Sequence, residues 1–334
     1  MFGLVELGSW IAEDWLGEGW WGIDLHLVLE AGGRLLAGES IYADPRFLYP
    51  PAAAVIGVPL AGLPFDLVSV AYAVAKIALS AYVVLWLTPG WSRPPQAIAI
   101  LTLVACLPFV HDLFLGNANV MLVLAMAGVA LTSDRRWHGV PLGVAAALFA
   151  KPFLIPFLLW MLVWRRSALV GTVAAGLAVT AVAAVLAGPA SYAEWIEALR
   201  AGTRFAAPFE GNHGITALAP GLWAPVAALT AIGLIVVLAR RGPLVGLVWA
   251  VTAGILLAPY AGTYSALPIA IVIPALAIRA PVLAWSIVAA SPIATTHPLP
   301  IYAAAILLAS LTLREAPADR SLLPRAQPIR ATGT

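Results

Sequence analysis

Long apolar runs separated by short polar breaks dominate the chain. They cover roughly 66–88, 95–114, 117–133, 167–187, 221–239, 243–259, 263–278, 281–294 and 299–313. The stretch 139–164 is apolar too, but it contains Lys151, Pro152 and Pro156. A hydrocarbon core about 30 Å thick takes about 20 helical residues to cross. Backbone groups in lipid must be satisfied within their own segment, so each run is expected to be a helix. The pattern therefore predicts an all-α, polytopic transmembrane protein with about 11 membrane helices, several of them short. Residues 50–63 are apolar but too short to cross, and predict a helix lying in or dipping into the outer interface. Residues 1–23 carry Glu6, Glu13, Asp14, Glu18 and four tryptophans, which forbids a clean span. They lack the basic start and apolar centre of a signal peptide. Tryptophan favours the interface, so this segment is expected on the outer surface, or just after a first membrane helix upstream.

Composition agrees with a membrane solvent. Charged residues make up 10% of the chain, hydrophobic residues 62%, and mean hydropathy is +0.95. Soluble domains carry about 25% charged residues, so a water-facing surface cannot be covered. That excludes a soluble enzyme, a nucleic-acid-binding domain and a disordered chain. The net charge of +2 calls for no acidic partner. The single cysteine, Cys106, excludes a disulfide framework or a CxxC metal site. The basic residues are nearly all Arg, and Ala, Gly and Pro are abundant, as in a GC-rich bacterial genome.

Where the charges sit changes the picture further. Arg93, Arg135, Arg136, Arg165, Arg166, Arg240, Arg241, Arg279 and the tail residues Arg314, Arg320, Arg325 and Arg330 fall on one side if each run crosses once and 139–164 is a hairpin. By the positive-inside rule that side is the cytoplasm. The chain then divides into an external segment 1–65, a helix bundle 66–313 with an external loop 188–220, and a disordered cytoplasmic tail 314–334. Each hairpin arm has about 12 residues, or roughly 18 Å of helix, which puts Lys151 below the outer surface. An ionisable group within a membrane is a functional candidate by default, although a snorkelling lysine is the plainer alternative. Lys76 lies mid-span and needs a partner. His111 and Asp112 sit at an external helix end, where capping accounts for them. His26, His213 and His297 have no metal-ligand spacing, so neither a metal nor any other cofactor is expected.

Asp24 stands among the acids crowded before position 45. It is followed by a helical stretch with Gly33 and Gly38, then Tyr42, then Tyr49-Pro50-Pro51. With Gly22, this order resembles the first external loop of bacterial polyprenyl-phosphate-mannose-dependent mannosyltransferases, glycosyltransferase family 87 of the GT-C superfamily. Gly116-Asn117-Ala118-Asn119 is similar to that family's Gly-Gln-x-Asn at a helix start, with Asn117 where Gln is usual. Gly143 and Ala150-Lys151-Pro152-Phe153 resemble its Gly…Lys-x-x-Pro hairpin. Ser191-Tyr192, Trp195 and Asn212 to Gly214 resemble its large external loop. Where the family has Ser-Pro, then Trp and His, this chain reads Ala258-Pro259-Tyr260-Ala261-Gly262-Thr263-Tyr264.

The resemblance implies a GT-C-like fold and a membrane glycosyltransferase. It would move a sugar, mannose by family habit, from a polyprenyl-phosphate donor to a glycolipid or glycan acceptor on the outer face of the bacterial plasma membrane. One carboxylate takes the acceptor proton and a cation meets the departing phosphate, with inversion and without a nucleotide or cofactor. Asp24 is then the base, ahead of Glu30 and Asp44, and Lys151 the phosphate cation. Tyr42, Tyr49, Asn117, Asn119, Arg200 and Arg204 are the substrate-binding candidates, with Trp195 beside the tyrosines. The partners are the lipid donor, the acceptor and membrane lipids, with no nucleic acid. A transporter or lipid flippase, or a non-catalytic membrane subunit, also fits many spans and few charges, although transporters place their acids within spans.

Overall fold

The computed structural model describes residues 21–205, 212–258, 261–296, 299–313 and 322, without the side chains of 203–205, 220 and 291–296. The acidic, Trp-rich start, the side chain of Arg204, His297 and the tail beyond Leu313 (Leu322 apart) lie outside the described residues.

Every described element is helical: α1 Ile23–Ala37, α2 Pro51–Gly57, a 3-10 turn Val58–Leu60, α3 Phe65–Leu87, α4 Arg93–Ala105, α5 Leu107–Phe114, α6 Asn119–Leu131, α7 Arg136–Phe149, α8 Leu154–Trp164, α9 Arg166–Ala187, α10 Ala190–Phe205, α11 Ile215–Leu218, a 3-10 turn Pro220–Leu222, α12 Trp223–Arg240, α13 Pro243–Leu257, a 3-10 segment Thr263–Ile271, α14 Ile273–Arg279, α15 Pro281–Thr296 and α16 Leu299–Ser310. The protein is an all-α polytopic membrane protein. Proline opens or nearly opens α2, α4, α5, α13 and α14, positions where its missing N–H costs nothing.

Among the described residues three helices are long and apolar enough to cross a membrane, α3, α9 and α12, and only 22%, 17% and 17% of their apolar windows are buried. Exposed apolar faces of this extent suit contact with lipid. The centre is different. α13 is buried on nearly all sides and packs with Leu122 and Met126 of α6, Phe157 and Trp160 of α8, and Leu267 and Ile271 of the 3-10 segment.

Two expected single helices are broken. The 95–114 run splits at Cys106 into α4 and α5, bent by 56°, because Pro108 has no N–H for the Val104 carbonyl and its ring would strike it. The 263–278 run is 3-10 over Thr263–Ile271 and α-helical only from Ile273. Pro268 and Pro274 each remove an amide donor there.

The 139–164 segment does form two helices around a turn at 150–153 that carries Lys151. α7 presses on α9 through Gly139, Gly143 and Gly171, whose added Cβ atoms would run into Ala168, Thr172 and Arg136 backbone. Small residues let membrane helices approach this closely, and Thr172 Oγ1 adds a 3.0 Å hydrogen bond to the Gly139 carbonyl. Arg165 binds the Ala130 carbonyl at the far end of α6, and Asp134 caps α9 through the Ala168 N–H at 2.9 Å. Two of the arginine-bearing breaks, 133–136 and 165–166, thus meet at one end of α6.

Residues 23–60 fold as a small cap with its own apolar cluster, including Leu27, Val28, Phe47, Tyr49 and Ala54. Trp195 of α10 donates to the Leu48 carbonyl at 3.0 Å, which ties the long loop region to this cap.

Candidate functional site

The site begins where α1 meets the α5–α6 turn. Gly22 N–H donates to the Phe114 carbonyl at 2.8 Å, and Asp24 N–H to the Leu115 carbonyl at 2.9 Å. The first amides of α1, which lack helical partners, are thereby satisfied by another element. The contact needs glycine at 116. Gly116 has φ 66°, and a Cβ there would lie 2.8 Å from Leu25 Cβ and 3.1 Å from Gly22 Cα.

The next residue of that turn reaches the carboxylate. Asn117 Nδ2 donates to Asp24 Oδ2 at 2.7 Å. The Asn117 side-chain oxygen accepts from the Ala118 N–H at 2.7 Å and from the Tyr49 hydroxyl at 3.5 Å, which fixes the amide's orientation. Asp24 Oδ1 makes no hydrogen bond among the described residues. Lys151 lies with Nζ 4.8 Å from the centre of the Tyr49 ring and interacts electrostatically with Asp24. Burial pushes the Asp24 carboxyl above its usual range, the Lys151 charge opposes this, Asp112 adds to it, and Lys76 and the Asn117 hydrogen bond oppose it.

Beneath the turn lies a buried ion pair. Lys76 Nζ sits 2.7 Å from Asp112 Oδ1, with both side chains fully buried. The same ammonium donates to the carbonyls of Asn117 at 2.6 Å and Asp112 at 3.0 Å. Asp112 in turn caps α6, accepting from the Asn119 N–H at 3.1 Å. The Tyr72 hydroxyl also binds the Asn117 carbonyl, at 3.2 Å.

A groove of about 450 Å³ runs between α1, α2 and α3. Leu60, Leu63 and Leu67 line it and are exposed. Asp24, Tyr49, Tyr72 and Gly116 line it as well. It is almost wholly apolar and brings a greasy channel up to one carboxylate.

Asp24, Asn117, Tyr49 and Lys151 are thus brought together. Tyr42 stands behind, its hydroxyl donating to the Tyr49 carbonyl at 2.9 Å. Asn119 is completely buried, and neither side-chain amide atom is hydrogen-bonded. Arg200 is exposed on α10; Arg204 lies on the same helix. Two other acids of the cap are occupied elsewhere: Glu30 faces His26 at 3.5 Å and Asp44 holds Arg46 at 2.7 Å. Among the described residues no group of three or more His, Cys, Asp and Glu could hold a metal ion.

The sequence assigned no role to Tyr72 or Tyr264 and did not pair Lys76 with Asp112. A lysine and an aspartate inside separate apolar runs were the available signal for the pairing, since charges in spans pair with one another. Tyr264 ends the segment where the resemblance places a histidine. It packs on the His111 ring with centroids 5.8 Å apart and is near enough to Tyr49 to interact with it electrostatically. Across the loop, His213 N–H donates to the Ala261 carbonyl at 2.8 Å.

No curated protein and no solved structure matches this chain. A family model does: glycosyltransferase family 87 matches residues 47–313. The matched span holds α2 to α16, with Tyr49, Asn117 and Lys151, while Asp24 and α1 precede it. That match covers most of the length, on an all-helical membrane architecture, and the chain therefore belongs to glycosyltransferase family 87, a family of membrane glycosyltransferases.

Proposed function

We propose that this glycosyltransferase takes a sugar, mannose, from a polyprenyl phosphate and passes it to a glycolipid or glycan acceptor at the outer face of the bacterial plasma membrane, with Asp24 as base and Lys151 beside the departing phosphate. The observation that carries the reading is the Asp24–Asn117 hydrogen bond of 2.7 Å beside an apolar groove. Asn117 holds Oδ2 and leaves Oδ1 to accept a proton.

The chemistry is a single displacement. The acceptor oxygen attacks the anomeric carbon as the bond from that carbon to the phosphate oxygen breaks. The bonding pair leaves with the phosphate, the hydroxyl proton goes to Asp24, and the anomeric configuration inverts. A carboxylate raised above its usual range is a better base than an ordinary one. A phosphate is already a good leaving group, so a second acid is not called for, and a cation in a water-poor site lowers the cost of its developing charge. The groove's exposed leucines suit a prenyl chain arriving from the bilayer. The two arginine breaks at the end of α6 away from Asp24, 133–136 and 165–166, favour an external site under the positive-inside rule.

The test is to incubate purified protein with several polyprenyl-phosphate sugars and a membrane lipid extract, and to follow sugar transfer and donor consumption. Transfer from the mannose donor, with an inverted product, supports the reading. Donor binding without turnover, for every sugar, would make the chain a lipid-binding subunit or carrier instead.

A further inference from the structure

The Lys76–Asp112 pair does not line the groove, yet it is the most heavily bonded group near Asp24. An ammonium has three N–H donors. Those of Lys76 have three acceptors within 3.0 Å: Asp112 Oδ1 at 2.7 Å, the Asp112 carbonyl at 3.0 Å and the Asn117 carbonyl at 2.6 Å. One nitrogen therefore holds both ends of the turn 112–117, and the Asn117 N–H closes the same turn on the Asp112 carbonyl at 3.0 Å. The Asp112 carboxylate extends the clamp to the start of α6. The side chain leaving this clamped turn is Asn117, which grips Asp24.

Stability alone is a poor reason for such a pair. Apolar residues of similar volume often serve as well or better, because desolvating two charges offsets most of their attraction. What apolar residues cannot do is bind two backbone carbonyls and set the angle at which the next side chain leaves. We infer that Lys76 and Asp112 are positioning residues for the transfer reaction: they hold the 112–117 turn so that Asn117 keeps the Asp24 carboxylate aimed at the acceptor hydroxyl. The inference rests on Asp24 acting as the base.

The groups facing Asp24 are Lys151 from the α7–α8 turn, Asp112 and Asn117 from the α5–α6 region, Lys76 and Tyr72 from α3, and Tyr49 from the cap. The test uses the full-length purified protein and the double variant Lys76→Met/Asp112→Asn, which leaves no unpaired buried charge and keeps an acceptor for the α6 cap. Measured on folded protein, kcat should fall on the order of 10²-fold, the scale of a small misplacement of a reacting group, with the KM for the lipid donor little changed. In Lys76→Arg, which keeps both charges, the acidic limb of the pH–kcat/KM profile should move to higher pH, since loosening the Asn117 hydrogen bond disfavours the ionised carboxylate.

Lower thermal stability with an unchanged kcat and an unmoved limb would show a purely structural pair and overturn the inference. If the double variant does not fold, Lys76→Arg supplies the reading. It keeps the charge but cannot place three donors on one nitrogen, so a reduced kcat and a raised limb support the positioning role, and wild-type values overturn it. Asp24→Asn, assayed alongside, separates the two ideas. Wild-type turnover there removes the base and the inference with it, whereas an inactive Asp24→Asn beside a wild-type pair variant removes the inference alone.

Discussion

Asn117 donates a 2.7 Å hydrogen bond to Asp24 across 93 positions of the chain. It joins the helix that precedes the family-matched span to the turn between α5 and α6 within it. The carboxylate is held at one oxygen, beside a lysine and a groove lined by exposed leucines.

Asp24→Asn is the most direct check on the chemistry. The amide keeps the shape but cannot take a proton at neutral pH, and general base catalysis is worth typically about 10²–10⁴-fold. Transfer should fall by that much while donor binding persists. Glu30→Gln and Asp44→Asn, whose carboxylates face His26 and Arg46, should change turnover far less. Near-normal transfer by Asp24→Asn would end the assignment.

The wild-type pH profile carries a sign. Burial raises the Asp24 carboxyl above the ordinary range, and only the ionised form accepts a proton. Activity should therefore be lost, as pH falls, at a higher pH than a solvated carboxylate would give. Steady-state kcat/KM between mildly acidic and neutral pH reads this, and a flat profile down to the usual carboxylate range contradicts it.

Lys151→Met keeps bulk over the Tyr49 ring and removes the charge. Loss of one preorganised charge-stabilising group costs on the order of 10²–10³ in kcat, and donor affinity should weaken as well. Lys151→Arg should recover part of both. Unaltered donor KM and kcat in Lys151→Met would leave this lysine a snorkelling side chain.

Two glycines of similar φ give different outcomes. Gly38 and Gly116 sit at φ 72° and 66°, but a Cβ on Gly38 meets nothing within 4 Å, while one on Gly116 meets Leu25 and Gly22. Gly38→Ala should cost only backbone strain, about 1–3 kcal/mol, and leave turnover intact. Gly116→Ala should destabilise more and displace Asp24, lowering kcat as well. Thermal unfolding and transfer assays on both variants make the comparison, and equal turnover losses would contradict it.

Membrane orientation is open to labelling in intact cells, on a Cys106→Ser background. A cysteine beside Lys151 should be reached by a membrane-impermeant thiol reagent, and cysteines at 137 and 167 should be protected. Labelling of 137 from outside would invert the map.

The sequence by itself determined the solvent and the elements. Blocks of apolar residues with arginine in the breaks allow little besides membrane helices, because an unsatisfied backbone has no partner in lipid. The two helices flanking Lys151, the short helix after Tyr49-Pro50-Pro51 and the helix after Asp24 were all readable as local patterns. The resemblance pointed to glycosyltransferase family 87, and the family match agrees. Tertiary structure decided what is not local. Lys76 showed a need for a partner but not which one, since Asp112 is 36 positions away and pairing depends on how α3 packs against the α5–α6 turn. The 56° break at Cys106 turns α5 so that its last carbonyls meet the first amides of α1. Neither run's hydropathy encodes that angle. Asn117 was legible as a motif residue, but its hold on Asp24 follows from a left-handed glycine and a close contact between two helix ends, which exist only once the chain has folded.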